Sequence, residues 1–121
     1  MIPVQPTACV QEVRTHGSCS LVIVCGEIDL LTAPGLVCHL DWLTYTGRPD
    51  LLIDLRPVSF MDTSGIKALA RARDRATGRC GKIRLICTRP ATLRLLHHPV
   101  MRLGLETLEA LPSPEPPHVA A

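Results

Sequence analysis

Three residues with hydroxyl or carboxylate side chains follow one another near the middle of the chain: Asp62, Thr63 and Ser64. Gly65 comes next, and an apolar segment begins at Ile66. An apolar strand, a hydroxyl-bearing turn and a helix start would present a hydroxyl at a helix N-terminus, where backbone N–H groups and the helix dipole favour a negative group. This arrangement suits phosphorylation. The alternative is that Thr63 or Ser64 simply caps the helix, a hydrogen bond worth about 1 kcal/mol.

The elements that must position this turn alternate along the chain. Apolar and β-branched runs predict strands at residues 20–25, 51–55 and 82–87, with a weaker edge strand at 8–14 and a last short strand or helix at 103–111. Helical periodicity predicts one helix after Thr32, a second from about Ser64 to Thr77 and a third from Pro90 to about His97. Strands that alternate with helices predict an α/β fold with a mixed sheet, parallel in its middle.

The second predicted helix has an apolar side and a charged side. Arg73 lies near the apolar side, and we expect its side chain to extend along it towards solvent. Basic residues cluster on and after this helix. The cluster can be interpreted as a solvated helix face or as a contact surface for an acidic partner. Its members are Lys67, Arg71, Arg73, Arg75, Arg79, Lys82 and Arg84.

Composition predicts one folded domain with no nucleic-acid partner. The 121 residues are 46% hydrophobic and 20% charged, which is typical of a globular chain with a real core. A net charge of +2 is too small to imply a nucleic-acid partner by itself, and a single tryptophan, tyrosine and phenylalanine leave almost no stacking platforms for one. We expect the domain to span residues 1–111 and a proline-rich, disordered tail to span 112–121.

The six cysteines form no C-x-x-C pair, so the spacing of a zinc site is absent. The chain has no apolar stretch typical of a signal peptide and no run long enough to span a membrane. These features predict a cytoplasmic protein without metal or cofactor, whose cysteines are mostly small buried hydrophobes rather than disulfides. The pair His97-His98 has no ligand partner at metal spacing, and we expect it at an exposed helix end.

The stretch Phe60-Met61-Asp62-Thr63-Ser64-Gly65-Ile66 resembles the signature of the anti-sigma factor antagonist family, whose fold is the STAS domain (sulfate transporter and anti-sigma antagonist). Two further matches are the Gly26-Glu27-Ile28-Asp29 turn and the Thr32-Ala33-Pro34 segment after it. The resemblance covers about residues 20–111. It implies a small mixed sheet with helices packed mainly on one side. It also implies that the hydroxyl directly after the Asp, here Thr63, is the phosphate acceptor, with Thr in place of the more common Ser.

The resemblance implies a bacterial transcription regulator that works by binding rather than by catalysis. Unphosphorylated, it would bind an anti-sigma factor that is also a serine/threonine kinase and so free the sigma factor. Phosphorylation at Thr63 would end the complex, and a phosphatase would restore it. We expect a monomer that contacts neither nucleic acid nor membrane. The implied partner-binding residues are Asp29, Asp62, Thr63, Ser64, Gly65, Lys67 and Arg71.

Several of these residues also have a structural interpretation. Asp29 could bond its own backbone in a turn rather than face a partner. Gly65 could serve close backbone approach, positive φ or ordinary turn chemistry. Asp54, which ends the central predicted strand and is shared with the family, is interpreted as a carboxylate that bonds loop N–H groups.

Two other functions compete with the switch. The chain could be a STAS scaffold subunit of a stress-signalling assembly, in which Thr63 is never modified. It could also be a small hydrolase that uses Ser64. The hydrolase is disfavoured because the sequence has no G-x-S-x-G elbow, no P-loop and no G-x-G-x-x-G motif.

Overall fold

Strands and helices alternate through residues 10–100 and 103–114, the parts of the chain that the computed structural model describes. The strands are β1 (Val10–His16), β2 (Cys19–Val24), β3 (Gly26–Ile28), β4 (Asp50–Asp54), β5 (Val58–Met61), β6 (Lys82–Ile86) and β7 (Glu106–Leu108). The helices are α1 (Ala33–Leu43), α2 (Thr63–Thr77) and α3 (Pro90–Leu96). The element at 103–111 that the sequence left open is therefore a strand.

Five of the strands form the main sheet, in the order β1-β2-β4-β6-β7. The edge strand β1 pairs antiparallel with β2, and the other neighbours pair in parallel. This arrangement confirms the predicted mixed sheet with a parallel middle. Because parallel strands end at one edge, the loops that follow β4 and β6 lie together at that edge.

The three helices pack on one face of this sheet, as predicted. Val22, Ile53 and Leu85 lie side by side in register on neighbouring strands, and each is fully buried. They share one apolar cluster with Leu36 of α1 and Leu69 of α2. A smaller cluster on the opposite face contains Leu21, Leu52 and Ile86. Burial of both faces explains why the central strands are almost continuously apolar.

The predicted turn at Gly26–Asp29 is wrong in part, because its first three residues form strand β3. This strand pairs in parallel with β5 as a separate two-stranded sheet. Gly26 has a φ of +78°, a conformation that glycine adopts easily, and it redirects the chain between β2 and β3. The N–H of Asp62 donates to the carbonyl of Ile28 at 3.1 Å. The loops that follow β3 and β5 are thereby held side by side.

The prediction for the cysteines holds only in part. Cys19 and Cys87 are buried, and Cys25 is half-buried. Cys38 and Cys80 are exposed, since the first lies on the outer side of α1 and the second in the turn after α2. Cys9 lies outside the described residues.

The predicted tail lies partly outside the described residues, beyond position 114. Its first residue, Pro112, is in contact with the domain, because its carbonyl accepts a hydrogen bond from the Nε2 of His16 at 2.8 Å.

Candidate functional site

The N-terminus of α2 is capped by Asp62, not by Thr63 or Ser64 as the capping alternative predicted. Asp62 is extended, with φ −106° and ψ −168°, and its Oδ1 accepts a hydrogen bond from the N–H of Ser64 at 2.8 Å. Its carbonyl accepts a second bond from the N–H of Gly65 at 3.1 Å. Because the carboxylate satisfies the first turn, neither hydroxyl is needed as the cap. Thr63 becomes the first residue of the helix.

Thr63 is exposed, whereas Ser64 beside it is half-buried. The Thr63 hydroxyl therefore lies at the surface at a helix N-terminus, where the partial positive charge of the helix stabilises an added anion. Asp62 is its immediate neighbour, so a phosphate on Thr63 would bring two negative groups together at this corner of the molecule.

Gly65 is buried and allows α2 to approach strands β3 and β5 closely. A Cβ atom at this position would lie 2.6 Å from Cγ of Met61 and 2.9 Å from Cγ2 of Ile28. Gly65 is not among the glycines with positive φ. Of the roles considered for it, close approach is therefore the one that fits its geometry.

Asp29 organises the turn that leads from β3 to α1. Its Oδ1 accepts hydrogen bonds from the N–H of Leu31 at 3.0 Å and from the N–H of Thr32 at 3.1 Å. The Thr32 hydroxyl accepts a bond from the N–H of Asp29 at 3.0 Å and donates to the carbonyl of Glu27 at 2.7 Å. Thr32 is the N-cap residue of α1, which agrees with the helix predicted after Thr32, although its side chain bonds this turn and not the first turn of the helix. Asp29 therefore bonds the backbone of its own turn, as its structural interpretation predicts.

Asp29 and Asp62 are brought together at one shallow depression, which Leu30 and Leu31 also line. Both leucines are highly exposed, at 80% and 64%. Phe60 on β5, the residue that opens the predicted signature, is also about half exposed. Sequence reasoning missed the two leucines as site residues. The sequence does contain a pattern that could have indicated them: two adjacent leucines directly follow a polar turn motif and belong to no predicted helix or strand.

Lys67 and Arg71 follow Thr63 along one side of α2 at helical spacing, and both are exposed. They differ in their contacts, because Arg71 forms a bidentate ion pair with Asp41 of α1, with both N–O distances at 2.9 Å. The Arg71 hydrogen bond holds the pKa of Asp41 below its usual range, against the opposing effect of burial. The structure therefore gives Arg71 a role in joining α1 to α2.

Other residues of the basic group are also engaged within the chain. Arg75 donates to the hydroxyl of Thr44 at 2.9 Å and to the carbonyl of Asp41 at 3.1 Å, which satisfies the C-terminal end of α1. Arg73 is half-buried, and its guanidinium donates to the Oδ1 of the exposed Asp74 side chain at 3.1 Å. Arg71, Arg73 and Arg75 are thus engaged within the chain, whereas Lys67, Arg79 and Lys82 of the same basic group are exposed.

Asp54 has the structural role predicted from its strand-end position. It is buried, and its carboxylate accepts hydrogen bonds from the backbone N–H of Arg56 at 3.0 Å and from the guanidinium at 3.0 and 2.8 Å. Burial raises the pKa of Asp54, but the hydrogen bonds and the charge of Arg56 outweigh it, so the pKa lies below its usual range.

Within the described residues, no arrangement supports a Ser64 hydrolase or a metal centre. The histidine rings of that part of the chain bond to other groups, namely Pro112, Gly35, Thr107 and Val100. His97 and His98 are exposed at the end of α3, as expected. No group of three or more His, Cys, Asp or Glu side chains in residues 10–100 and 103–114 has metal-binding geometry. No helix there is both long and apolar enough to cross a bilayer.

A family model described as the STAS domain matches residues 11–107 of this chain. Among solved structures, the fold is similar to an anti-sigma factor antagonist from Mycobacterium paratuberculosis, with a TM-score of 0.75 and 30% sequence identity. That match covers 88% of this chain and 90% of the other. A search of curated proteins finds no relative of the chain.

More distant structures share the fold. The anti-sigma factor antagonist SpoIIAA in its unphosphorylated form gives a TM-score of 0.66 at 16% identity, over 83% of this chain and 88% of the other. The Bacillus cell fate determinant SpoIIAA in the phosphorylated form gives the same score and identity, over 83% and 90%. The murine anion transporter Slc26a9 gives a TM-score of 0.60 at 20% identity, over 70% of this chain and only 14% of the transporter.

Proposed function

Because the chain belongs to the STAS domain family, we propose that it is an anti-sigma factor antagonist switched by phosphorylation of Thr63. The observation that carries the proposal is the placement of this hydroxyl. Thr63 is exposed at the first position of α2, and Asp62 supplies the cap. The hydroxyl is therefore accessible to a kinase and not required by the fold. The matched anti-sigma factor antagonist, at 30% identity, supports the same class of function.

In this proposal the unphosphorylated protein binds an anti-sigma factor that is itself a serine/threonine kinase, and the sigma factor is released. The kinase then transfers phosphate to Thr63 and the complex separates, until a phosphatase removes the phosphate. The protein catalyses no step of this cycle. It works in the bacterial cytoplasm as a monomer. The contact surface is formed by the two adjacent loops that carry Asp29 and Asp62, together with the exposed start of α2 up to Lys67.

The switch needs no change of fold. A phosphate adds about −1.5 to −2 charge at pH 7, and the N-terminus of α2 stabilises that charge while the protein is free. In the complex, the same charge would be desolvated beside the carboxylate of Asp62. A loss of about 2.7 kcal/mol would weaken binding a hundredfold, enough to change which complex forms. SpoIIAA, which shares the fold, has been solved both with and without its phosphate.

Titrations with the purified anti-sigma factor of the same organism test the proposal. Thr63→Ala removes the hydroxyl, and Thr63→Glu adds a negative charge at an exposed position, so neither should unfold the protein. We expect Thr63→Ala to bind as well as wild type and to resist phosphorylation, and Thr63→Glu to bind at least tenfold more weakly. Ser64→Ala is the matched control and should remain a substrate. Equal affinity of the Ala and Glu variants would refute the switch and favour the unmodified scaffold.

A further inference from the structure

The main sheet has a second apolar face, on the side away from the helices. Its buried residues form a cluster of their own, separate from the cluster under the helices. They are Cys19, Leu21, Leu52 and Ile86, with Ile23 and Leu108 at the border, and all of them lie on strands of the main sheet. The four buried residues are only 0–6% exposed. A sheet face buried so completely must be covered by another part of the chain.

The segment that follows β7, residues 109–114, is placed to provide this cover. It leaves β7 through a bend at residues 109 and 110, and the carbonyl of Pro112 accepts the hydrogen bond from Nε2 of His16 at 2.8 Å. Strand β7 is one edge of the five-stranded sheet, and His16 ends β1, which is the other edge. Because the helices occupy the first face, the segment reaches His16 across the second face.

The pairing of the strands gives the path of the segment. Leu108 lies beside Ile86, near one end of the second face, whereas His16 lies opposite Cys19, at the other end. Leu52 lies in the row between these two ends. A segment that runs from Leu108 to His16 therefore crosses the face diagonally, over the middle of the second cluster.

Closure of this face also buries polar atoms that have no partner. Within residues 10–100 and 103–114, the Oδ1 of Asp50 and the Nε of Arg84 are buried and make no hydrogen bond. Both side chains lie on the second face, since Asp50 stands two residues before Leu52 in β4 and Arg84 pairs with Leu52 from β6. The Nη2 of Arg84 is 3.7 Å from Asp50 Oδ1, too far for a hydrogen bond. Unpaired buried atoms oppose closure, whereas apolar burial favours it.

We propose that residues 109–114 are a C-terminal strap that opens separately from the rest of the domain, and that His16 is its latch. While the latch holds, the strap closes the second face. When the latch is lost, the strap lifts, Leu52 meets water, and the unpaired atoms of Asp50 and Arg84 become hydrated. One side chain thereby controls whether an apolar face of the sheet is concealed or accessible. The strap is distinct from the Thr63 switch and does not rest on the proposed function.

Two buried cysteines report on the strap from within the same chain. Cys19 belongs to the second cluster, beneath the strap, whereas Cys87 belongs to the cluster under the helices. Both thiols are protected while the strap is closed. Labelling of the native protein with N-ethylmaleimide, followed by peptide mapping, measures the reaction rate of each thiol separately. Cys87 shows whether a variant has loosened the whole domain.

The variants change the latch from both of its sides. His16→Phe keeps a ring but removes the donor, whereas His16→Gln keeps an N–H donor. A chain that ends at Ala110 removes the acceptor carbonyl and leaves both His16 and β7 intact. His39→Phe is the matched control, because the ring of His39 bonds the carbonyl of Gly35 within α1, on the other face of the sheet.

We expect Cys19 to be labelled about tenfold faster or more in His16→Phe and in the shortened chain, while the rate of Cys87 stays within about twofold of wild type. In His16→Gln and His39→Phe, the rate of Cys19 should stay within about threefold of wild type. Adding His16→Phe to the shortened chain should cause no further increase, because both changes act on the same latch.

Three results would overturn the proposal. Protection of Cys19 that persists in the shortened chain would mean that other residues cover the second face. A rate in His16→Phe equal to that of wild type would reject His16 as the latch. If Cys19 and Cys87 were accelerated equally in every variant, the segment would open only together with the whole domain and would not be a separate strap.

Discussion

Replacement of Gly65 by Ala tests how closely α2 must approach β3 and β5 at the candidate site. The added Cβ would lie 2.6 Å from Cγ of Met61 and 2.9 Å from Cγ2 of Ile28, where ordinary contacts begin at 3.4 Å. The shortfalls are therefore 0.8 Å (3.4 less 2.6) and 0.5 Å (3.4 less 2.9). Ile28 is fully buried and Met61 is only 7% exposed, so neither side chain can move into solvent. The start of α2 must shift instead.

The magnitude follows from two opposing effects. Overpacking of a filled site costs about 1–3 kcal/mol, and replacing Gly by Ala inside a helix returns up to about 1 kcal/mol. We expect Gly65→Ala to lower the free energy of unfolding by about 1–2 kcal/mol. For a domain of this size the melting temperature should fall by roughly 3–10 °C, measured by calorimetry or by circular dichroism at 222 nm.

Gly78→Ala is the matched control for this experiment. Gly78 follows the last turn of α2 with an ordinary helical φ of −62°, and its nearest contact to an added Cβ is the Asp74 carbonyl at 3.3 Å. This variant should unfold within about 0.5 kcal/mol of wild type or be slightly more stable, because alanine restricts the unfolded chain. If Gly65→Ala were as stable as Gly78→Ala, α2 would not need the close approach, and the account of this corner would be wrong.

Three further predictions concern stability and thiol reactivity. Gly81→Ala should lower the free energy of unfolding by about 3 kcal/mol or more, measured by urea unfolding. The added Cβ would overlap the backbone carbonyl of Pro49, and this carbonyl also accepts a hydrogen bond from the N–H of Lys82. Asp54 has a lower pKa in the folded than in the unfolded chain, so its contribution to stability is present above about pH 4 and is lost as the pH falls through the folded pKa. Asp54→Asn should flatten the decline in melting temperature as the pH falls below about 4, and an unchanged decline would argue against the ion pair with Arg56. Exposed thiols should react with Ellman's reagent within minutes and buried thiols only on unfolding, as followed by peptide mapping. The exposed thiols are Cys38 and Cys80, and the buried ones are Cys19 and Cys87.

The order of the main elements could be predicted from the sequence because it depends on local patterns. Helical periodicity after Thr32 predicted α1, and an apolar run predicted β4. Strand β3 could not be found in the same way. It has three residues, two of them exposed, and it is a strand only because β5 lies beside it, far along the chain. Short strands of this kind are decided by tertiary pairing rather than by propensity.

The position of the candidate site along the chain could be predicted from the sequence, but the contacts of its residues could not. The sequence pointed to Thr63 or Ser64 as the cap of α2, and this prediction is wrong, because the extended backbone of Asp62 places its own carboxylate at the cap. The ion pair of Arg71 joins positions thirty residues apart, so no local pattern could reveal it. The sequence predicted that most cysteines are buried but could not single out Cys38 and Cys80 as exposed, since composition does not say which side of a helix or turn a thiol occupies.

The most direct test of the central claim is the phosphorylation state of Thr63 in the cell. Intact-protein mass spectrometry on protein purified from its native source, with mapping of the peptide that contains residues 60–67, measures it. We expect one phosphate per molecule, placed on Thr63, whose abundance changes with growth conditions. A phosphate confined to Ser64, or no phosphate under any condition, would contradict it.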